Sequence, residues 1–374
     1  MRRPKDADIK SPKTGWRLLE TWRFRAPSPL SAKPPNTKRY RPKAAEAALS
    51  ASSPELASLA RETIVEWFGE KHRGRTAEEV DFVNSLVPET CPHCGSRRIR
   101  KDGFAKKTGI RVYECLDPGC GRKFGPLTGT VFDSKKIPIS ETIEFLYHVF
   151  QFHSSTSSAH SNMNARSTGL YRVAKLFLAL DGIQDGIVFP GTAWIDEKYV
   201  RKWPSKSERL PDGKKIRGLS RNQYCICTAT DGERCALALC GVGHPTAKRA
   251  FAAYSRWLTP GTFVIADGAR CQSDAIAFCA GAEIHHTPET KGLPDRKNPM
   301  DPVNRVHRLL ELFLKRHAGY DREDLPGWLN LFAFWYNTPG NAMEKAIRFI
   351  EFAVGKRRML RYRAWGCRKS DGET

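Results

Sequence analysis

Four cysteines stand in two pairs whose spacing is typical of a metal site. Two residues separate Cys91 from Cys94, and four separate Cys115 from Cys120. Zinc takes four thiolates at the corners of a tetrahedron, and two short loops of this kind bring four thiolates to one point. We therefore predict a structural zinc ribbon over residues 89–132. Disulfide pairing is the alternative, and a reducing compartment disfavours it.

Two aspartates lie in predicted apolar strands, and carboxylates so placed are typical ligands of divalent cations. Asp196 interrupts the stretch "AWIDEKYV", and Asp267 ends "TFVIAD" just before a glycine. Phosphoryl transfer on a nucleic acid uses two hard ions about 4 Å apart, held by carboxylate oxygens that meet in space. An Asp before glycine is also a common turn former, which is the alternative for Asp267. Glu197 points to the opposite strand face and is expected to be structural.

The charge balance indicates a polyanionic partner. The chain has 374 residues, with 62 Lys and Arg against 40 Asp and Glu and a net charge of +22. Such an excess favours nucleic acid, although a soluble protein with a basic tail is the alternative. Seven cations lie between the two cysteine pairs, a density suited to phosphate contacts. They are Arg97, Arg98, Arg100, Lys101, Lys106, Lys107 and Arg111.

Neither an apolar run of membrane-spanning length nor a secretion signal is visible, so we expect a cytoplasmic protein without a membrane partner. The cysteines outside the paired cluster are then reduced, mostly buried thiols. They are Cys225, Cys227, Cys235, Cys240, Cys271, Cys279 and Cys367.

Composition divides the chain before the apolar strands. Residues 1–53, rich in Pro, Ser, Lys and Arg, indicate a basic, largely disordered tail. Residues 54–88 have the spacing of a short helix that leads into the ribbon. Residues 138–185 predict a helix from Ser140, polar breaks and a second helix around 170–180. This pattern fits a helix-turn-helix DNA-binding segment or a plain helical linker.

Residues 190–340 carry the pattern of a mixed sheet with flanking helices. Alternation predicts three strands, the last two joined at Asp231 and Gly232. A helix, a strand, a helix over residues 268–282, a short strand over residues 283–287 and a long helix follow. This is the element order of an RNase-H-like domain, so the predicted fold class is α/β. Residues 341–374 are predicted to form a basic C-terminal helix and tail. Aromatic residues before that tail have helical spacing and should pack in a core: Trp328, Phe332, Phe334, Trp335 and Tyr336.

In these motifs the chain resembles insertion-sequence DDE-type transposases of the ISXO type, which have an N-terminal zinc ribbon and an RNase-H-like catalytic domain. The stretches that carry the resemblance span about residues 91 to 337: "CPHCG", "YECLDPGC", "KFGPLTGTVFDSKKIPIS", "AWIDEKYV", "VIADG" and "VNRVHRLLELFLKRHAG". The resemblance implies that Asp196 and Asp267 are the first two catalytic acids, holding two Mg²⁺ or Mn²⁺ ions. The family often has two residues, not four, between the second pair of cysteines.

The third metal ligand departs from the family pattern, which places a glutamate three residues after an asparagine on a helix. Here Asn304 is followed at that position by His307. Asn304, His307 and Glu311 lie on one helical stripe. Alignment with a downstream glycine favours His307, whereas charge chemistry favours Glu311 because imidazole suits Mn²⁺ better than Mg²⁺. Our order of preference is His307, Glu311, Asn304; alternatively His307 contacts DNA and the core is inactive.

Two further pairs flank these candidates. Lys315 and Arg316 resemble the family's basic residue that contacts the transposon-end phosphate, although the spacing differs by about one residue. His285 and His286 follow the second acid and are expected to be ordinary core or surface residues.

Together the motifs predict a transposase that binds terminal inverted repeats and catalyses metal-dependent cleavage and strand transfer. The partners would be transposon-end and target DNA, and the chain would act as a homodimer or higher oligomer. The predicted cofactors are one structural Zn and two catalytic Mg or Mn ions. Two alternatives stay open: a transposase-derived DNA-binding protein with a degenerate core, and a zinc-ribbon nuclease not involved in transposition.

Overall fold

The computed structural model describes residues 77–133, 138–161, 163–202, 223–317 and 320–365. The tail predicted at 1–53, the first part of the segment 54–88, and Cys367 lie outside these residues. The chain divides into two compact units. The first comprises residues up to Ala179 together with Gly340–Thr374, and the second is Leu180–Pro339.

In the described residues of the first unit, a helix and a small antiparallel sheet are followed by three helices. Its elements are α1 (Ala77–Ser85), β1 (Ile99–Phe104), β2 (Arg111–Cys115), β3 (Lys123–Phe124), α2 (Ile139–Phe150), α3 (Ser155–Ser161) and α4 (Arg166–Leu180), which ends at the boundary between the units. The three strands pair in the order β1-β2-β3. Beneath them Tyr113 and Phe124 stack with ring centroids 5.8 Å apart and pack with two buried cysteines, which gives the ribbon its own core.

The second unit is built on a five-stranded mixed sheet. Its elements are β4 (Thr192–Arg201), β5 (Gln223–Thr230), β6 (Cys235–Val242), α5 (Ala247–Tyr254), β7 (Phe263–Ala266), α6 (Ser273–Phe278), β8 (Gly281–Ile284), α7 (Thr287–Thr290), α8 (Asp301–Arg316) and α9 (Leu325–Asn337). The strand order is β6-β5-β4-β7-β8, with β4, β5 and β6 antiparallel and β4, β7 and β8 parallel. This mixed sheet with flanking helices confirms the predicted α/β fold class.

Two predicted elements of this unit have different bounds. The helix expected over residues 268–282 is a 3-10 turn, Arg270–Gln272, followed by only six residues of α6. The strand expected at residues 283–287 begins earlier and ends at Ile284, before the two histidines. The reason is parallel pairing with β7, which runs from Phe263 opposite Gly281 to Ala266 opposite Ile284 and stops where β7 stops.

A later helix of the first unit, α10 (Ala342–Val354), packs against α2. A buried ion pair joins α2 to α4 there: Arg172 lies 3.1 Å from Glu141, and their side chains are 3% and 2% exposed. Burial lowers the pKa of Arg172 because it disfavours the charged form, and the paired Glu141 opposes this effect. The first unit is thus held by helix packing around a paired charge.

Aromatic side chains of α9 fill the core of the second unit, as their spacing predicted. Trp328, Phe332 and Phe334 are buried, while Trp335 and Tyr336 are half-buried. Among the helices of the described residues, none has the length and apolar character needed to cross a membrane.

Candidate functional site

The fold places Asp196 on β4 and Asp267 directly after the end of β7, the strand that lies parallel to β4. Trp194 of β4 pairs with Ile265 of β7, and each of these residues is followed two positions later by one of the aspartates. Burial raises the pKa of Asp196 to about 8, and the negative charges of Asp267 and Glu197 add to this effect. Asp196 therefore keeps its proton at neutral pH in the metal-free protein, and a bound cation would favour its ionised form.

The turn after β7 positions Asp267. Its Oδ1 accepts a hydrogen bond from the backbone N–H of Ala269 at 3.0 Å, and the Thr287 hydroxyl lies 3.5 Å from its Oδ2. Gly268 has φ +76°, and a Cβ there would lie 2.6 Å from Ile284 and 2.8 Å from His286. Only glycine fits this turn without a clash. The Asp-Gly pair is therefore a turn former and also part of the acid site.

His307 faces this site from helix α8, which packs on β4 and β5. Its Nδ1 lies 3.6 Å from Asp196 Oδ2, and its Nε2 lies 3.0 Å from the hydroxyl of Thr228. Thr228 is fully buried and pairs directly with Asp196 across β4 and β5. Burial, with a smaller effect of Lys198, lowers the pKa of His307 to about 3, so the imidazole is neutral at physiological pH.

The two other candidates for the third ligand are placed differently. Glu311, whose side chain is 65% exposed, forms an ion pair with Lys198 at 2.8 Å. That hydrogen bond and the positive charge of Lys198 lower the pKa of Glu311. Asn304 is half-buried on α8, one turn before His307. Of the three side chains, His307 is the one with a contact to Asp196.

Glu197 points to the other face of β4, as strand alternation predicted. Its carboxylate accepts hydrogen bonds from the Tyr254 hydroxyl at 2.6 Å, the Cys271 thiol at 3.1 Å and Gln272 at 3.3 Å. Burial raises its pKa. These hydrogen bonds give Glu197 a structural role beneath the sheet.

The remaining predicted residues of this region lie around the site. Lys315 and Arg316 are exposed in the last turn of α8, where their side chains are accessible to a partner. His285 lies 2.9 Å from Glu283, and the ring of His286 packs over Gly268. Neither histidine was expected to be catalytic, but the packing of His286 supports the turn that carries Asp267.

The acid pair and His307 do not form a closed cage. In the part of the chain that the structure describes, two groups of at least three His, Cys, Asp or Glu side chains have ligand atoms within 4.8 Å of one another, and both consist of cysteines. Hard ions such as Mg²⁺ keep several water or phosphate ligands, so an open carboxylate pair is compatible with them.

The four cysteines of the ribbon come together as predicted. Cys91 Sγ lies 3.8 Å from Cys120 Sγ, and Cys94 Sγ lies 3.6 Å from Cys115 Sγ. All four sulfurs lie within 4.8 Å of one another. Four thiolates about 2.3 Å from a tetrahedral zinc ion have sulfurs about 3.8 Å apart, whereas bonded sulfurs of a disulfide are about 2 Å apart. The cluster therefore has the dimensions of a zinc site.

Glycine turns shape both cysteine loops. The N–H of Gly95 donates to Cys91 O at 2.9 Å, and the N–H of Gly121 donates to Asp117 O at 3.1 Å. Both glycines have positive φ, +77° and +56°. The backbone N–H of His93 also points at Cys91 Sγ, 3.4 Å away, and would stabilise a thiolate there.

The seven cations between the cysteine pairs are not equivalent. Arg100 forms an ion pair with Glu114 at 2.6 Å, and the Arg111 guanidinium lies 3.8 Å from the centre of the Phe104 ring. The other five are exposed on the ribbon: Arg97, Arg98, Lys101, Lys106 and Lys107. These five form the part of the cluster that is available to phosphates.

The sequence analysis did not identify Thr228 and Lys198. Thr228 contacts His307 and Lys198 pairs with Glu311, so these two strand residues give the two helix residues different surroundings. Strand alternation was the available signal for both. Lys198 stands two residues after Asp196, on the same face of β4, and Thr228 is a polar residue within the apolar strand "CICTAT".

Comparison with known proteins adds a distant similarity. No family model and no curated protein matches the chain. Among solved structures, the crystal structure of a pre-cleavage Mos1 transpososome is similar at 12% identity with a TM-score of 0.25, over 59% of this chain and 75% of that chain. At that identity and score the similarity does not assign a function, which has to be argued from the site.

Proposed function

We propose that the chain is the transposase of an insertion sequence, which binds the ends of its element and cuts and joins DNA by two-metal phosphoryl transfer. The observation that carries the proposal is the acid pair. Asp196 lies on β4 and Asp267 directly follows the adjacent parallel strand β7, and the charge of Asp267 helps to raise the pKa of Asp196. Such an unfavourable pair is typical of a site completed by cations.

The residues present fit hard divalent ions. Asp196 and Asp267 would hold them, and His307 Nδ1 would supply a nitrogen ligand if its Nε2–H donates to Thr228. When bound, the ions would lower the pKa of the attacking water and neutralise the leaving 3′ oxygen. Imidazole suits Mn²⁺ better than Mg²⁺, so we propose a preference for Mn²⁺.

The protein's own part is to orient these groups. Thr228 fixes the ring of His307, and the backbone N–H of Glu197 donates to Asp196 Oδ1 at 2.7 Å, which leaves Oδ2 toward His307. The Ala269 N–H holds Asp267 Oδ1 in the same way. No nucleophilic side chain is required, because water and then the freed 3′ hydroxyl attack phosphorus in line.

DNA binding is supported by charge. The net charge is +22, and five exposed cations lie on a ribbon whose cysteines have the dimensions of a zinc site. We propose that this ribbon contacts the phosphates of the element ends. The helices α3 and α4, joined by residues 162–165, are a candidate helix-turn-helix for reading the sequence.

A second candidate function is DNA binding without catalysis. The buried, neutral His307, hydrogen-bonded to Thr228 where the family has a glutamate, favours a degenerate core. Such a protein would bind end DNA and join nothing.

Cleavage and joining of DNA that carries the sequences flanking the gene would separate the two functions. With Mn²⁺ present, the wild-type chain should join these ends to a target plasmid, and Asp196→Asn and Asp267→Asn should bind them equally well but give no product. Asp185→Asn is the matched control, because this exposed acid of the same unit pairs only with Arg256 among the contacts described. Joining by either variant would refute the catalytic assignment, and binding without joining by the wild-type chain would favour the second function.

A further inference from the structure

Three cysteines form a second thiol cluster within the core of the second unit. Cys225 and Cys227 lie two residues apart on β5, and Cys240 lies on the neighbouring strand β6. Their sulfurs lie within 4.8 Å of one another. All three are buried, and Cys240 retains 8% exposure.

A β-bulge in β6 brings the three sulfurs together. Cys225 pairs with Gly241 and Ile226 pairs with Leu239, so Cys240 is the extra residue of β6 at this point. Gly241 has φ +118°, which glycine adopts at little cost. A bulge redirects the side chain of the extra residue, and here Cys240 joins two thiols that strand alternation already places on one face.

A positive charge covers the cluster. The Arg249 guanidinium donates to Val242 O at 3.1 Å, and a Cβ on Gly241 would lie 3.4 Å from its Cζ. Arg249 therefore supplies a positive charge beside the bulge that carries Cys240.

We propose that Cys225, Cys227 and Cys240 bind a second zinc ion, distinct from the ion of the ribbon. Three thiolates are the soft ligands that zinc takes, and sulfurs about 4 Å apart surround an ion at about 2.3 Å from each. Three thiolates and one divalent ion carry one net negative charge, which Arg249 neutralises. Water completes the coordination, because the Cys271 thiol on the same sheet face is committed to Glu197 at 3.1 Å.

The zinc would clamp β6 to β5 at the bulge, where the regular ladder of hydrogen bonds is interrupted. The strand β5 also carries Thr228, the partner of His307. The zinc ion would bind on the opposite face of β5 and would stabilise the strand that holds Thr228 at the acid site. The proposal concerns metal content and does not depend on catalysis of DNA joining.

Metal analysis of the full-length, reduced protein tests the proposal. After loading with zinc alone and removal of the excess, Cys240→Ala should contain one zinc ion fewer per chain than the wild-type protein. Cys235→Ala should match the wild type, because Cys235 is a fully buried cysteine of the same strand outside the cluster. Equal zinc in all three proteins would overturn the proposal.

A second measurement on the wild-type chain covers the case in which Cys240→Ala does not fold. Alkylation followed by peptide mass spectrometry should show Cys225, Cys227 and Cys240 protected in zinc and labelled faster after chelation, while labelling of Cys235 stays unchanged. Labelling that is independent of zinc at all three would show reduced core thiols, and a mass lower by two hydrogens would show a disulfide. Either result overturns the proposal.

Discussion

The raised pKa of Asp196 predicts that this residue lowers the stability of the metal-free second unit. Asparagine at this position keeps the shape of the side chain and removes its charge. The folded-state pKa of Asp196 is about 8, against an ordinary value of 3.8. The folded chain therefore holds this proton more tightly than the unfolded chain. The contribution of this group to the free energy of unfolding is therefore full below its unfolded-state pKa and is lost as pH rises through its folded-state pKa.

The magnitude follows from the interval between the two values. Neutral pH lies about 3 units above the pKa of the unfolded carboxyl. At about 1.4 kcal/mol per unit, the loss of stability caused by Asp196 is at most about 4 kcal/mol. The side chain is 23% exposed, so solvent screening reduces this figure. We expect Asp196→Asn to stabilise the metal-free protein by about 2 kcal/mol, which is a rise of about 5 °C in Tm for a unit of this size.

Thermal unfolding followed by fluorescence, in chelator and over a pH series, checks this expectation. The gain in Tm should be largest near pH ~8 and should shrink toward pH ~5, because protonation of Asp196 removes the repulsion in the wild type. Asp274→Asn, at an exposed acid on α6, should show no such trend. Adding Mn²⁺ should raise the Tm of the wild type more than that of Asp196→Asn. A difference in Tm that does not depend on pH would refute the reasoning.

Two other changes test the third ligand and the first unit. His307→Glu should raise joining activity with Mg²⁺ relative to Mn²⁺, because it replaces imidazole with carboxylate. The joining activity of Glu311→Gln should stay within a few-fold of the wild type. Loss of joining in Glu311→Gln would contradict the assignment of His307. Arg172→Met should cost about 3–5 kcal/mol in denaturant unfolding, because it removes the buried cation that pairs with Glu141, and adding Glu141→Gln should restore much of this loss. A cost below about 1 kcal/mol would show that the ion pair is not essential.

Much of the second unit could be predicted because its signals are local. Strand alternation, helical spacing and the turn at Asp231 and Gly232 follow from neighbouring residues, and they specify the order of the elements. The proximity of Asp196 to Asp267 does not follow from such local signals. It depends on β4 lying beside β7, a pairing between residues far apart in the chain that only the resemblance to a known fold suggested.

The third ligand could not be settled from the sequence because a helical stripe does not define its own orientation. Asn304, His307 and Glu311 lie on one side of α8, and the packing of that helix decides which of them reaches Asp196. Thr228 holds the ring of His307, and Lys198 binds Glu311 near the surface. Both contacts join strand residues to helix residues much later in the chain.

The C-terminal helix illustrates a similar limit in the first unit. Residues 341–374 were predicted to form a basic helix and tail after the core, and Ala342–Val354 of this range form α10. Its packing against α2 assigns it to the first unit, so the chain returns there after completing the mixed sheet. Spacing within α10 shows an apolar face, but no local pattern shows what covers it.

Strand alternation also places the two metal sites proposed for this sheet on opposite faces. Asp196 pairs with Thr228, and Glu197 pairs with Cys227, so each residue pair faces one side of the sheet. The hard oxygen ligands of the acid site therefore lie on one face, and the soft sulfurs of the proposed second zinc site lie on the other. Ligand softness separates Mg²⁺ or Mn²⁺ from zinc more sharply than distance does. A shift of β5 by one residue would exchange the two faces and place thiols beside the acid pair, so the clamp between β5 and β6 and the geometry of the acid site depend on the same register.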